Sequence, residues 1–261
     1  KLKTGFVGTP LMNNILTDNG MNDLAYELLL NEEFPGWLYE VKLGATTVWE
    51  RWNSLLPDGT ISGISMNSMN HYSYGSVLEW MFRHVAGINT SEKHPGVKSL
   101  TLEPTLNWDL RHVDASYDSP SGEYRLSWKL ADKKHVAVTM DVPFDCTAKV
   151  ILPLLPEAEK EAARKVFGKD IDGVYTVETG HYEISYELEK ELGKSYSIDT
   201  PLRVLLMDEK VKEYLQNMLH MPDIPNQYKD FSIREMTEKF AGHMSEEQIQ
   251  AINAELAKFS D

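Results

Sequence analysis

The apolar residues of this chain change their spacing twice, and that change limits the available folds more than any single motif does. From about residue 96 they alternate one in two: Tyr124, Leu126, Trp128 and Leu130, then Asp132-Lys133-Lys134, then Val136, Val138, Met140 and Val142. A period of two places one set of side chains on one face of a strand, so this stretch predicts short antiparallel strands turned towards a core. A further hairpin is expected from 174–177 and 182–186 around Thr179-Gly180.

On either side of this stretch the spacing is helical. Before it, helices are expected over 7–16, closed by Asp18-Asn19-Gly20, and over 22–31, with Leu24, Leu28 and Leu29 on one face. Two more are expected over 46–53 and over 67–85, the last with Tyr74, Val77, Leu78, Met81 and Val85 on one stripe. After about 207 the helical pattern returns, with capping-box spacings at Ser232-x-x-Glu235 and Ser245-x-x-Gln248. The chain thus reads as an α+β multidomain protein. A helical part spans 1–92, an antiparallel β-sandwich 93–206 and a helical tail 207–261. Amphipathic helices confined to ~90 residues leave much of their apolar face uncovered. The helical part is therefore expected to belong to a larger helical layer.

Charge and composition narrow the function. The net charge is −14, and acids outnumber bases in all three segments, so no basic patch exists for nucleic acid. Cys146 is the single cysteine; it can form neither an internal disulfide nor a thiolate metal site and is expected to be a small buried hydrophobe. The first residues hold no signal-like apolar core, and no apolar run reaches bilayer length, so a soluble, cytoplasmic chain with no membrane partner is expected. Walker, G-x-G-x-x-G and G-x-S-x-G motifs are absent from the sequence, and the histidines fall at no metal-ligand spacing. Nucleotide and α/β-hydrolase chemistry are disfavoured, and nothing calls for a metal or cofactor.

The densest chemical cluster lies at 34–53, where Trp37, Tyr39, Trp49 and Trp52 stand close in sequence to Glu40 and Glu50. Aromatic faces stack on sugar rings and carboxylates perform acid–base work at an acetal carbon, so the combination suggests a carbohydrate site. Trp residues are also ordinary core residues. Spacing alone leaves Glu50 two roles, since Thr47-x-x-Glu50 is also a capping box, and it favours the cap. His71 sits among Asn67, Asn70, Tyr72 and Tyr74, where it is either a hydrogen-bonded core residue or a donor to sugar hydroxyls.

Two segments resemble a known family: Phe34-Pro-Gly-Trp-Leu-Tyr-Glu-Val-Lys-Leu-Gly-Ala-Thr-Thr-Val-Trp-Glu-Arg-Trp52 and Met66-Asn-Ser-Met-Asn-His-Tyr-Ser-Tyr-Gly75. Both are similar to the α-L-rhamnosidases of glycoside hydrolase family seventy-eight, and the stretches at 102–107 and 116–122 resemble that family's C-terminal sandwich. The resemblance implies the C-terminal portion of an (α/α)6 helical barrel followed by a β jelly roll, with terminal α-L-rhamnose released from glycosides by inversion. Inverting hydrolysis uses a proton-donating carboxylic acid and a water-activating carboxylate ~6.5–9.5 Å apart. Glu50 matches the family's general base, which now outweighs the cap, and His71 matches a rhamnose-binding histidine. Trp37 and Tyr39 are candidates for lining the pocket. The family's general acid lies in a first barrel half whose motif this chain does not contain, so the chain alone is expected to have little or no activity. The expected partners are rhamnose-containing glycosides and, through the C-terminal helices, further copies of the chain. A non-catalytic carbohydrate-binding or assembly module is the alternative, and a phosphorylase on the same barrel is a third reading.

Overall fold

The computed structural model describes residues 2, 4–90, 96–193, 196–219, 223–240 and 242–259. The chain forms two compact units, 1–192 and 193–261.

The first unit opens with three helices, α1 (Thr9–Asp18), α2 (Asn22–Leu30) and α3 (Trp37–Lys42). A 3-10 turn (Ser73–Ser76), a short helix α4 (Val77–Trp80) and a π-turn (Met81–Val85) then run on from one another. Their common core is largely aromatic: Tyr26, Trp37, Trp52, Tyr74 and Trp80, with Ala25, Leu29 and Val85.

Two expected helices differ from observation for local reasons. The segment 46–53 is an irregular strip of bends and turns rather than a helix. Thr46, Thr47 and Val48 are β-branched and favour extended backbone, and the Thr47 hydroxyl donates to the carbonyl of Met69 instead of capping a helix. The helix expected from 67 starts only at Ser73. Asn67 and Ser68 spend their side chains on nearby backbone, Asn67 donating to Gly63 O at 3.0 Å and Ser68 to Asn70 O at 3.0 Å; such local bonds compete with helix formation.

The β part consists of two sheets. In one, β3 (His112–Ser119), β4 (Gly122–Leu130), β5 (His135–Val142) and β9 (Gly180–Glu187) pair antiparallel in that order. Leu126 lies opposite Met140, Trp128 opposite Val138 and Leu130 opposite Val136, so the alternation seen in the sequence becomes one buried face. The other sheet has the order β1 (Ile88–Thr90), β2 (Ser99–Leu102), β6 (Thr147–Val150), β8 (Val174–Val177) and β7 (Asp170–Ile171). Residues of both sheets share one core, into which α5 (Lys160–Phe167) adds Ala163 and Phe167. Cys146 is buried in that core.

The sheets correct two expectations. β2 and β6 run parallel, so the sandwich is not wholly antiparallel. The segments 174–177 and 182–186 form no hairpin: β8 pairs with β6 and β7, whereas β9 pairs with β5 in the opposite sheet. Alternation tells which side chains point inward, not which strand is the neighbour. Tyr175, Val177, Ile184 and Tyr186 therefore enter one core from two sheets, and Thr179-Gly180 carries the chain between sheets.

Helical and β parts are joined within the first unit. The indole of Trp128 donates to Val85 O at 2.9 Å, and the hydroxyl of Tyr26 to Thr105 O at 2.6 Å. Gly87 sits at the joint with φ +78°, and a Cβ there would lie 2.2 Å from Pro104 N. Only glycine fits both the conformation and the space.

The second unit begins before the boundary expected at 206. Tyr196, Ile198, Leu202 and Leu205 form its core together with Val211, Leu215, Ile224, Ile233 and Leu256. These side chains have helical partners rather than a sheet, which places 196–205 with the tail. Its helices are α6 (Leu202–Leu205), α7 (Glu209–Leu219), α8 (Ile233–Phe240) and α9 (Glu246–Ala257). Both expected capping boxes form, Ser232 with Glu235 and Ser245 with Gln248.

Candidate active site

The two motif segments, separated by a loop in sequence, lie side by side. Glu50 N donates to Ser68 O at 2.9 Å, and His71 N donates to Val48 O at 2.8 Å. The connecting loop is ordered by a bridge between Leu55 and Ile61 and by Asn67, which donates to Ser54 O at 3.2 Å. Backbone pairing thus puts Glu50 and His71 on neighbouring strips.

Glu50 is half-buried, and its Oε2 accepts from Ser68 N at 2.8 Å. Since no helix starts at Thr47, its carboxylate caps nothing. A carboxylate held by one backbone N–H keeps its remaining lone pairs for a water or a hydroxyl. His71 is also half-buried and stacks on the rings of Phe6 and Tyr72, at 5.1 and 5.0 Å between centroids. Its Nδ1 accepts from Ser73 N at 3.3 Å, which in the neutral imidazole makes Nε2 the donor.

The aromatic candidates divide. Trp37 is only 8% exposed, its indole donates to Tyr74 O at 2.9 Å, and it packs edge-on to Trp52. It belongs to the core here rather than to a sugar platform. Tyr39 is half-buried, set against Phe34, with its hydroxyl 3.5 Å from Leu55 O. Trp52 stacks on Tyr74 with 3.8 Å between centroids, within the aromatic core.

Glu40, named in the sequence only as part of the 34–53 cluster and given no role there, also enters the site. Glu40 of α3 is 3% exposed, and burial pushes its carboxyl up to about 7, against the opposing effect of the hydrogen bond from Trp49 N. Desolvation disfavours the charged carboxylate. In sequence Glu40 is one polar residue of a short helix, and nothing there signals that its side chain turns inward.

A cavity of about 250 Å³ lies elsewhere in the first unit, lined by Glu79, Phe82, Arg83, Ile88, Thr90 and Tyr117. Glu79 pairs with Arg83 at 2.9 Å; this cavity has one carboxylate, already engaged, and is not read as the glycosidase site. Among the described residues no group of three or more His, Cys, Asp or Glu is placed to hold a metal ion.

Comparison with known proteins gives this arrangement its class. Residues 1–85 match the family model of the bacterial α-L-rhamnosidase six-hairpin glycosidase domain, and residues 87–167 that of the bacterial α-L-rhamnosidase C-terminal domain. The class is a six-hairpin glycosidase domain continued by a C-terminal β domain. An α-L-rhamnosidase of Alteromonas sp. (strain LOR) is 40% identical over 153 residues, covering 58% of this chain and 16% of the relative. One from Streptomyces avermitilis is 37% identical over 179 residues, covering 69% and 17%. Among solved structures, Streptomyces avermitilis α-L-rhamnosidase complexed with L-rhamnose superposes with a TM-score of 0.62 at 35% identity, over 71% of this chain and 18% of that one. The Aspergillus terreus enzyme gives 0.60 at 31% identity, over 73% and 20%. Residues 1–85 and 87–167 thus each match a bacterial α-L-rhamnosidase domain, and the chain spans under a quarter of the length of these relatives.

Proposed function

We propose that this chain is the C-terminal portion of an inverting α-L-rhamnosidase, in which Glu50 is the general base and His71 a ligand of the rhamnose ring. The observation that supports this most is the pairing of 48–50 with 68–71, which brings a carboxylate and an imidazole donor from two separate motifs onto adjacent strips. Glu50 would take a proton from the water that attacks the anomeric carbon, while an acid on the opposite face protonates the leaving oxygen. His71, donating through Nε2, would hold a sugar hydroxyl. Tyr39, at the edge of the same strips, would border the pocket.

The acid has no counterpart in the matched motifs, so it would come from an upstream helical half. The 261-residue chain by itself is then expected to give little or no turnover of an aryl α-L-rhamnoside. In a protein carrying this chain behind an upstream half, Glu50→Gln is expected to lower kcat by about 10²–10⁴-fold, the range for loss of a general base. Steady-state assay with NMR detection of the first-released anomer checks both the rate and the inversion. A Glu50→Gln protein within a few-fold of the parent would remove Glu50 from this role.

A further inference from the structure

Among the described residues Glu40 is a buried carboxyl that the proposed chemistry leaves unused. Its Oε2 accepts from Trp49 N at 3.2 Å, and its Oε1 is buried with no hydrogen-bond partner. Its own backbone carbonyl accepts from Ala45 N at 3.0 Å. Glu40 therefore touches the strip 45–50 near both ends.

Successive residues of this strip send their backbone bonds to different partners. Val48 O and Glu50 N face the 68–71 segment, and Ser68 N reaches back to the Glu50 carboxylate. Trp49 N faces the other edge, where Glu40 supplies the acceptor. Without that acceptor a buried backbone N–H would be orphaned.

We infer that Glu40 is a positioning residue for Glu50: it clamps the far edge of the strip through Trp49 N and so fixes where the Glu50 carboxylate stands. This rests on the reading of Glu50 as base. The titratable side chain facing it is Tyr74 of the 3-10 turn, whose hydroxyl is pushed up by burial and then by the charge of Glu40. Lys42, on the same helix, is engaged with Glu32 at 2.5 Å. An ionised carboxylate accepts a stronger hydrogen bond than a neutral one. With the carboxyl titrating at about 7, the clamp tightens as pH rises through neutrality.

The test uses the ¹⁵N-labelled 261-residue chain, following the backbone amide signals of Trp49 and Ser68 from about pH 5 to about pH 9, a window bracketing the shifted carboxyl. Both signals are expected to move with one midpoint near 7. Glu40→Gln, which keeps an acceptor oxygen, is expected to abolish that titration and retain slow amide exchange. Glu40→Leu is expected to speed exchange at Trp49 about tenfold, as for loss of one hydrogen bond, and to speed it at Ser68 as well. Flat signals in the parent chain, or a Glu40→Leu effect confined to Trp49, would overturn the positioning role. If Glu40→Leu does not fold, the Glu40→Gln titration decides. None of these readouts needs turnover. If Glu50 is not the base, the amides still titrate and only the assignment of Glu50 falls.

Discussion

In the sandwich, Tyr124, Leu126, Trp128 and Leu130 alternate with more exposed neighbours and all four are buried. In the helical segment before it, Leu11 and Ile15 repeat at helical spacing, with Val7 one turn earlier, yet they are 56%, 55% and 85% exposed. The sandwich meets its apolar residues with partners from a second sheet. The helical segment has more apolar stripe than it has neighbours, as expected for a few hairpins of a six-hairpin domain. Function follows the opposite distribution. The candidate site lies on irregular strips of the helical part, where hydrogen bonds donated by Ser68 and His71, and one accepted by Glu40 from Trp49, take the place of a regular ladder.

The contrast is broken most severely by Trp128→Ala. That change empties the centre of the sandwich and removes the bond to Val85 O, and is expected to cost about 3–5 kcal/mol in chemical denaturation. A loss below about 1 kcal/mol would mean that the sheets do not share one core.

Glu40 gives a smaller effect with a defined sign. Its folded value, about 7, lies above its ordinary value of 4.5, so the folded chain binds more protons between those limits. Stability from this group is full below about 4.5 and is lost as pH rises to about 7, by roughly 3 kcal/mol. The difference in unfolding free energy between parent and Glu40→Gln, measured across that window, should shrink in the parent's disfavour as pH rises. A difference independent of pH would place the carboxyl at its ordinary value.

Ser245→Ala removes the hydroxyl that accepts from Gln248 N at 3.2 Å. It is expected to weaken α9 by about 1 kcal/mol, read as faster amide exchange there with the sandwich amides unchanged. The least effect belongs to Leu11→Glu on the uncovered stripe, expected to stay within about 0.5 kcal/mol of the parent. A larger loss would show that the stripe is covered in solution, and would sharpen the comparison by pointing to what covers it.

Much of the β part was legible because alternation maps directly onto burial: Val136, Val138, Met140 and Val142 all face the core. The strand partners were not, as β8 and β9 show, since each strand's pattern is the same whichever neighbour it takes. In the helical part, Thr47-x-x-Glu50 suggested a cap on a helix that does not form, and the true partner of Glu50 is Ser68, eighteen residues further on. The motifs marked Glu50 and His71 as belonging to one chemistry, but spacing said nothing of their adjacency.

The sequence by itself determined the order of helical and β segments, the inward face of each strand, the capping boxes of the tail and the family likeness of residues 1–167. These depend on local periodicity and local hydrogen bonding, which the order of residues encodes. The tertiary structure decided which strands pair, where the second unit begins, that Trp37 is core, and that Glu40 holds the strip bearing Glu50. Each of these depends on groups distant in sequence competing for the same buried donor or the same apolar face, and only the folded chain fixes the outcome.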